Sequence, residues 1–392
     1  MTGLLDGADA RGAARIHSVA DARRLARRAL PAVVYDYVDG GADDEITMRR
    51  NMAAFDAVTF RTRLATGLVE PRLGTSVLGR AVDLPVLLAP CGMVRLMHPD
   101  GAAGVARAAA ARRTVSVLST VAGTPLEAVA AAAPVPMWFQ LYAAGGRAEA
   151  DALLERASAA GVEVLMVTVD TPILGNRERD VRHGVSPPLR FDAHNMVPLG
   201  AQVFARPRWA VRLAATGIRL SSRASRSGGG EAGIPQKATS PFTWGDVEHF
   251  RARWHGKLVV KGVLAADDGR RAVDSGADAV VVSNHGGRQL DLAPATLHAL
   301  PGVVHSVGDA VEVLMDGGVR RGAHVVAALA LGARAVLVGR PYLYGLAAAG
   351  ERGVARVLGV LEEEMRRTMV LLGCPSVADL GPEWLEERWH GE

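Results

Sequence analysis

Eight short apolar runs punctuate the chain from residue 85 onward. They are PVLLAP (85–90), VSVLS (115–119), PMWFQLY (136–142), VLMVTVD (164–170), KLVVKG (257–262), AVVVSN (279–284), VEVLMDGG (311–318) and AVLVGR (335–340). None alternates polar with apolar positions, as expected of parallel strands buried on both faces. Ala-rich stretches with helical signals lie between them. Asp100 is placed to cap a helix running to Arg113, and Thr124-Pro125-Leu126-Glu127 reads as a capping box with proline in the first helical position. Eight strand–helix units close most economically into an α/β fold of the (β/α)8 (TIM) barrel type. A doubly wound open sheet competes, but the turn after the first run is APCGM, with no GxGxxG fingerprint.

The first eighty residues follow another pattern. Arg11 to Leu30 is Ala/Arg-rich and reads as amphipathic and helical, and Ser18 with Asp21 can cap a helix through Leu30. Pro31 opens a second helix, PAVVYDYV, stopped by Gly40-Gly41, and a third follows Asp43. The barrel rhythm breaks once, over residues 172–242, where little regular pattern is visible. Within it, 204–229 holds Arg206, Arg208, Arg212, Arg219, Arg223 and Arg226 and no acidic residue. A stretch this long inside a barrel reads as a lid or binding insert. The expectation is one barrel domain over 1–392 with this insert after the fourth strand.

Composition narrows the function classes. Hydrophobic residues make up 49% of 392, enough for a large core, and the net charge is only +4. No aromatic-interleaved basic platform argues for nucleic acid. Cys91 and Cys374 make no disulfide framework, and no His/Cys cluster suggests a metal. The N-terminus lacks a signal-peptide core, no uncharged apolar run is long enough to span a bilayer, and a cytoplasmic enzyme is expected.

Chemistry in such a barrel gathers at the C-terminal ends of the strands. Each run ends in polar or glycine residues: Pro90-Cys91-Gly92, Ser119, Gln140 with Tyr142, Thr168 with Asp170, Lys261, Ser283-Asn284-His285, Asp316-Gly317-Gly318-Val319-Arg320, and Gly339-Arg340. The last two offer glycine N–H groups and an arginine near a helix N-terminus, a phosphate-binding combination. His285, in SNHGGRQLD, has the side chain suited to proton abstraction near neutral pH. Asp170 could stabilise its imidazolium or, before Thr171-Pro172, simply cap a helix.

At SNHGGRQLD, DGGVRRG and VGRP, together with YDYVDGGADDE, LAPCGM, FQLY, TVDTP, VKGV and MVLLGCPSVADL, the chain closely resembles the FMN-dependent 2-hydroxy acid oxidase/dehydrogenase family from about Ser18 to Leu380. The resemblance implies FMN as cofactor and a 2-hydroxy acid as substrate. It assigns His285 as the base, Asp170 as its charge partner, Arg177 and Arg288 as carboxylate ligands, and Tyr37 and Tyr142 as hydroxyls on the substrate. Tyr35 reads as a core aromatic. The resemblance further implies that Lys261 lies beside the flavin pyrimidine edge. Ser119, Gln140, Thr168 and Ser283 would bond the ring, and the backbone of Pro90, Cys91 and Gly92 would pack on it. Asp316, Gly318, Arg320, Gly339 and Arg340 would hold ribityl and phosphate.

Two departures bear on the substrate. Gly92 stands where many small-acid oxidases of the family carry Ala and mandelate dehydrogenase carries Gly, and Val121 stands where plant glycolate oxidases carry Trp. Both remove volume, which favours an aromatic acid such as mandelate or 4-hydroxymandelate; lactate or another aliphatic acid is the alternative. The expected acceptor is O2, giving H2O2, with a quinone-type acceptor as the competitor. In mandelate dehydrogenase the matching insert meets a membrane; here Trp209, Leu213, Ile218 and Leu220 allow at most weak interfacial contact. A homotetramer is the family's usual assembly, and no haem domain is expected ahead of the barrel.

Overall fold

The computed structural model describes residues 2–133, 137–143, 145–184, 200–215 and 242–386. Eight parallel strands form one sheet: β3 (Val86–Leu88), β4 (Val117–Ser119), β5 (Trp138–Leu141), β6 (Val164–Thr168), β7 (Lys257–Val263), β8 (Ala279–Val282), β9 (Glu312–Asp316) and β10 (Ala335–Val338). All eight coincide with the apolar runs. The sheet order is β3-β10-β9-β8-β7-β6-β5-β4. The Leu88 N–H donates to the Val115 carbonyl at 2.8 Å, and a Leu88–Ser116 bridge joins the first and last strands into a closed barrel.

Within each strand the side chains divide between two apolar clusters. Leu87, Val117, Trp138, Val164, Met166, Val259, Val281, Leu314 and Leu337 fill the barrel interior. Their neighbours Leu88, Leu118, Phe139, Leu165, Val260, Val280, Met315 and Val336 pack outward under the helices. Period-2 geometry is therefore present while period-2 polarity is not, because both faces are dry.

Before the barrel, β1 (Thr75–Val77) and β2 (Arg80–Val82) form an antiparallel hairpin that the apolar pattern did not reveal. Its Val77 and Val82 join the interior cluster. The N-terminal region holds two helices, Thr2–Ala14 and Val19–Ala29; the second starts after Ser18 and ends at its C-cap Leu30 as expected, while Arg11–Ala14 belong to the first. The break falls where the Ser18 hydroxyl accepts from the Asp21 N–H and so starts a new helix. Helices Ala32–Asp39 and Ile46–Asp56 follow as expected.

Two capping expectations are corrected. Pro125 itself holds the N-cap position of Leu126–Ala132 with no side-chain cap, and Glu127 pairs with Arg156 at 2.9 Å instead. Asp100 precedes helix Gly101–Ala111 without capping it, because its carboxylate accepts the Glu351 N–H at 2.8 Å. The insert also carries more structure than its sequence suggested, with helices at Glu178–Arg182 and Pro207–Ala215. Arg219, Arg223, Arg226, Ile218 and Leu220 lie outside the described residues.

Candidate active site

Two residues beyond the last interior apolar position, seven of the eight strands change character, while β3 continues with the apolar Ala89. Val117 is followed by Ser119, Trp138 by Gln140, Met166 by Thr168, Val259 by Lys261, Val281 by Ser283, Leu314 by Asp316, and Leu337 by Gly339. The interior thus ends in a polar ring, and above it opens a cavity of about 130 Å³. Pro90, Cys91, Gly92, Tyr37, Val121, Tyr142, Arg177, Lys261, His285, Arg288, Asp316, Gly318, Arg320, Gly339 and Arg340 all line it. Ser119, Gln140, Thr168, Ser283 and Asp170 do not. The first three form a buried chain behind the wall, Ser119 Oγ to Gln140 Oε1 at 2.7 Å and Gln140 Nε2 to Thr168 Oγ1 at 3.0 Å.

His285 leaves β8 in a left-handed conformation (φ 57°), followed by Gly286 and Gly287 at 65° and 74°. A non-glycine residue held there is strained, and the surroundings must over-determine it. They do. The His285 N–H donates to Ser283 Oγ at 3.0 Å, and the Gly287 carbonyl accepts from Ala42 at 2.8 Å. A side chain at 287 would strike the Met48 backbone. Imidazole Nδ1 lies 3.1 Å from Asp170 Oδ1, and Nε2 lies 3.3 Å from the Tyr142 hydroxyl. Asp170 reaches this place because Gly262 (φ 115°) bulges β7, and a Cβ there would stand 2.7 Å from the Asp170 Cβ.

Burial pushes the His285 pKa below its ordinary 6.5, Asp170 opposes this, and the Lys261 and Arg177 charges reinforce it. The imidazole is thus neutral near pH 7, with Nδ1–H donated to an ionised Asp170 and Nε2 left as a base. Of the two readings of Asp170, charge partner and helix cap, the geometry favours the first. Burial also raises the Tyr142 and Tyr37 hydroxyls, so both stay protonated. Lys261 is 4% exposed and charged, its Nζ donating to Ser283 Oγ at 2.8 Å and paired with Asp316 at 2.9 Å. Burial pulls its pKa down, and Asp316 and Asp170 outweigh this and raise it.

The remaining charge is unbalanced. Arg177, Arg288, Arg320 and Arg340 line the cavity with Lys261, and Asp316 is the one carboxylate among the described lining residues. Arg177 and Arg340 are lowered to about 10, chiefly by burial and then by Arg288. Among the described residues, the buried Arg177 Nε has no hydrogen-bond partner. Arg340 donates to the carbonyls of Val38, Gly40 and Gly286 (2.7–3.1 Å), and Arg288 Nη1 to those of Tyr37 and Gly40. These two arginines therefore anchor the 37–40 segment, and with it Tyr37, to the mouth. Buried cations lacking counter-ions are costly and call for an anion. Glycines 317 and 318 (φ 98° and 78°) and the helix start at Arg340 add a cradle for phosphate.

Sequence reasoning missed several residues that hold this geometry. Gln289 donates to the carbonyls of Asp170 and Ile173 and accepts from Gly175, clamping the Asp170 loop beside His285. Asn51 and Asn284 exchange two hydrogen bonds at 2.8 and 2.9 Å behind the His285 turn. Asp39, buried and held ionised by Arg23, Tyr344 and Arg179, fixes the helix carrying Tyr37. Gln289 and Asn284 sit in SNHGGRQLD and were findable; Asn51 is 233 residues from its partner and left no signal.

Comparison with known proteins gives the family. The profile of the family "FMN-dependent dehydrogenase" matches residues 26–387. The chain belongs to this family. It is 41% identical over 370 residues to the L-lactate oxidase of Nostoc sp., covering 92% of this chain and 96% of the relative. It is 42% identical over 378 residues to the pre-mycofactocin synthase of Mycobacterium tuberculosis, covering 93% of each. Among solved structures, the monotopic membrane protein (S)-mandelate dehydrogenase superposes with a TM-score of 0.87 at 36% identity, covering 95% of this chain and 99% of the other. FMN is accordingly the cofactor, and FMN-dependent oxidation of a 2-hydroxy acid is the activity class. The lysine, the glycine cradle and the unpaired arginines suit a phosphorylated, anionic cofactor and a carboxylate substrate. Among the described residues no helix is long and apolar enough to cross a membrane. Trp209 and Leu213 are buried, so the interfacial contact considered for them is not open to those side chains.

Proposed function

We propose that the chain oxidises the (S)-enantiomer of an aromatic 2-hydroxy acid, mandelate or 4-hydroxymandelate, to the 2-oxo acid, with O2 as acceptor and H2O2 released. The observation that carries the substrate reading is at Gly92. An alanine methyl there would stand 3.0 Å from Val121 Cγ2 and 3.1 Å from the Tyr37 hydroxyl. Gly92 and Val121 together keep this wall of the cavity thin, leaving room for a ring that a bulkier pair would displace.

In this reading Arg177 and Arg288 hold the substrate carboxylate, Arg177 with a donor that has no other use. Tyr142 and His285 Nε2 converge on the substrate hydroxyl, and His285 takes the proton. Asp170 fixes the tautomer through Nδ1 and balances the imidazolium that forms. FMN, when bound, accepts the two electrons. Lys261 supplies a fixed cation where negative charge then accumulates. Pro90 to Gly92, Asp316, Gly318, Arg320, Gly339 and Arg340 would hold the cofactor.

The test is the visible spectrum of the purified protein under anaerobic (S)-mandelate. Fast bleaching, followed by fast recovery with peroxide in air, is the expected result. Fast bleaching with slow recovery would replace O2 by another acceptor, as likeness to a mandelate dehydrogenase allows. A much higher kcat/KM for (S)-lactate than for (S)-mandelate would overturn the aromatic reading.

A further inference from the structure

The turn that closes one end of the cavity is held from behind by a histidine. Gly317 and Gly318 leave β9 in left-handed conformations, and Val319 and Arg320 lead from them toward helix Gly322–Ala330. All four of these turn residues line the cavity. Helix Ile46–Asp56 presses on the turn so closely that a side chain at 318 would strike the Asn51 carbonyl. Four residues after Asn51, on the same face of that helix, stands Phe55. Its ring stacks on His324, with centroids 4.4 Å apart and planes 7° apart.

His324 is the third residue of helix Gly322–Ala330, and its Nδ1 accepts the Arg320 N–H at 3.3 Å. A side chain in the third helical position thus reaches back to the backbone ahead of the helix, as in a capping box, but with an imidazole in place of a carboxylate. Arg321, at the N-cap, supplies no side-chain cap, and the Gly322 N–H donates to Glu364 at 2.8 Å. His324 therefore ties the turn to two helices, to its own through Arg320 and to Ile46–Asp56 through Phe55.

The bond to Arg320 requires a neutral ring. Nδ1 accepts only without a proton, which places the ring proton on Nε2. Burial pulls the His324 pKa down to about 4; the hydrogen bond to the Gly318 backbone and the Asp56 charge oppose this, and Arg320 and Arg321 add to it. A carboxylate in this position would set a counter-charge behind Arg320. The neutral imidazole fixes the same backbone and leaves the arginine's charge to the cavity. His324 does not itself line that cavity.

We propose that His324 is a positioning residue for the cofactor: a neutral acceptor, stacked on Phe55, that holds the Gly318–Arg320 backbone in the shape that receives the FMN phosphate. The inference rests on the placement of that phosphate at Gly318 and Arg320, and it is independent of the substrate reading.

The experiment titrates the flavin-stripped full-length chain with FMN and with riboflavin, which lacks the phosphate, and follows flavin fluorescence. His324→Phe keeps a ring over Phe55 and removes the acceptor. His324→Asn restores an acceptor at the place of Nδ1 without the ring. The Phe variant should bind FMN about fivefold more weakly, the worth of one hydrogen bond, with riboflavin affinity unchanged, and the Asn variant should recover the FMN affinity. Should the Phe variant fail to fold, His324→Leu makes the same test. Equal weakening of both flavins would reduce His324 to a support of the fold and overturn the proposal. Unchanged FMN affinity in the Phe variant, or an Asn variant as weak as it, would do the same. Arg320→Ala is the reference. If it weakens FMN relative to riboflavin and His324→Phe does not, the phosphate placement stands and the role of His324 falls. If Arg320→Ala leaves that ratio unmoved, the placement is wrong and the proposal falls with it.

Discussion

The two ends of the barrel interior come from the same strands and differ by one residue in each. At the lower end Val117, Trp138, Val259, Val281 and Leu314 fill the space, and the β1–β2 hairpin adds Val77 and Val82. At the upper end the residues two positions on are Ser119, Gln140, Lys261, Ser283 and Asp316, and they bond each other or line the cavity. The lower end exchanges water for apolar contact and stabilises the fold. The upper end retains buried charge, left-handed backbone at His285 and an Arg177 Nε without a hydrogen-bond partner among the described residues, features that cost stability and persist where a ligand repays them.

Substitutions at each end should separate stability from chemistry. The largest expected effect is at His285: His285→Ala should lower kcat/KM for flavin reduction by about 10²–10⁴-fold with FMN still bound, measured by anaerobic stopped flow. A loss below tenfold would remove His285 as the base. Arg177→Met deletes a buried cation facing the carboxylate and should raise KM by about 30-fold or more, from roughly 2 kcal/mol of lost charge pairing. A variant with an unchanged KM would show that Arg177 holds no substrate.

At the lower end the sign of the comparison reverses. Leu314→Ala should cost about 2–5 kcal/mol of stability, read as a lowered Tm, while the flavin reduction rate of the folded fraction stays near that of the parent. A reduction rate that collapses together with Tm would mean the two ends are not separable. Gly92→Ala is expected to act more mildly, lowering kcat/KM for mandelate relative to lactate by about tenfold, the worth of one methyl in an apolar pocket. No change in that ratio would detach Gly92 from specificity.

The smallest effect is on pH. Since burial holds the His285 pKa below 6.5, kcat/KM should be flat at pH 7 and fall only on the acid side of 6.5. Asp170→Asn removes the charge that opposes the depression, so that limb should move lower as the plateau drops. The same sign governs stability: the unfolded chain binds more protons at His285 than the folded one. This contribution is therefore complete above pH 6.5 and shrinks as pH falls below it. An acidic limb above pH 6.5 would contradict the buried, neutral imidazole.

Local chemistry made much of this legible. Eight apolar runs are visible because strands dry on both faces need unbroken hydrophobicity, and the polar residue ending each run follows from the i+2 step of a strand. The SNHGGRQLD turn showed itself because a histidine followed by two glycines marks unusual backbone. The hairpin at 75–82 was invisible, since three-residue strands leave no periodic signal. The helices at 178–182 and 207–215 were hidden by their length and by the polar stretch around them.

The chain alone therefore determined the barrel, its strand ends and the residue types available for chemistry, because burial and strand geometry act over a few neighbouring residues. Tertiary structure decided which of those residues meet. The Gly262 bulge brings Asp170 to His285, Gln289 locks that loop, and the arginines at 288 and 340 anchor Tyr37 across about 250 and 300 positions of sequence. Whether a buried charge is paired or left open depends on chain segments remote in sequence closing around it. Only the folded chain settles that.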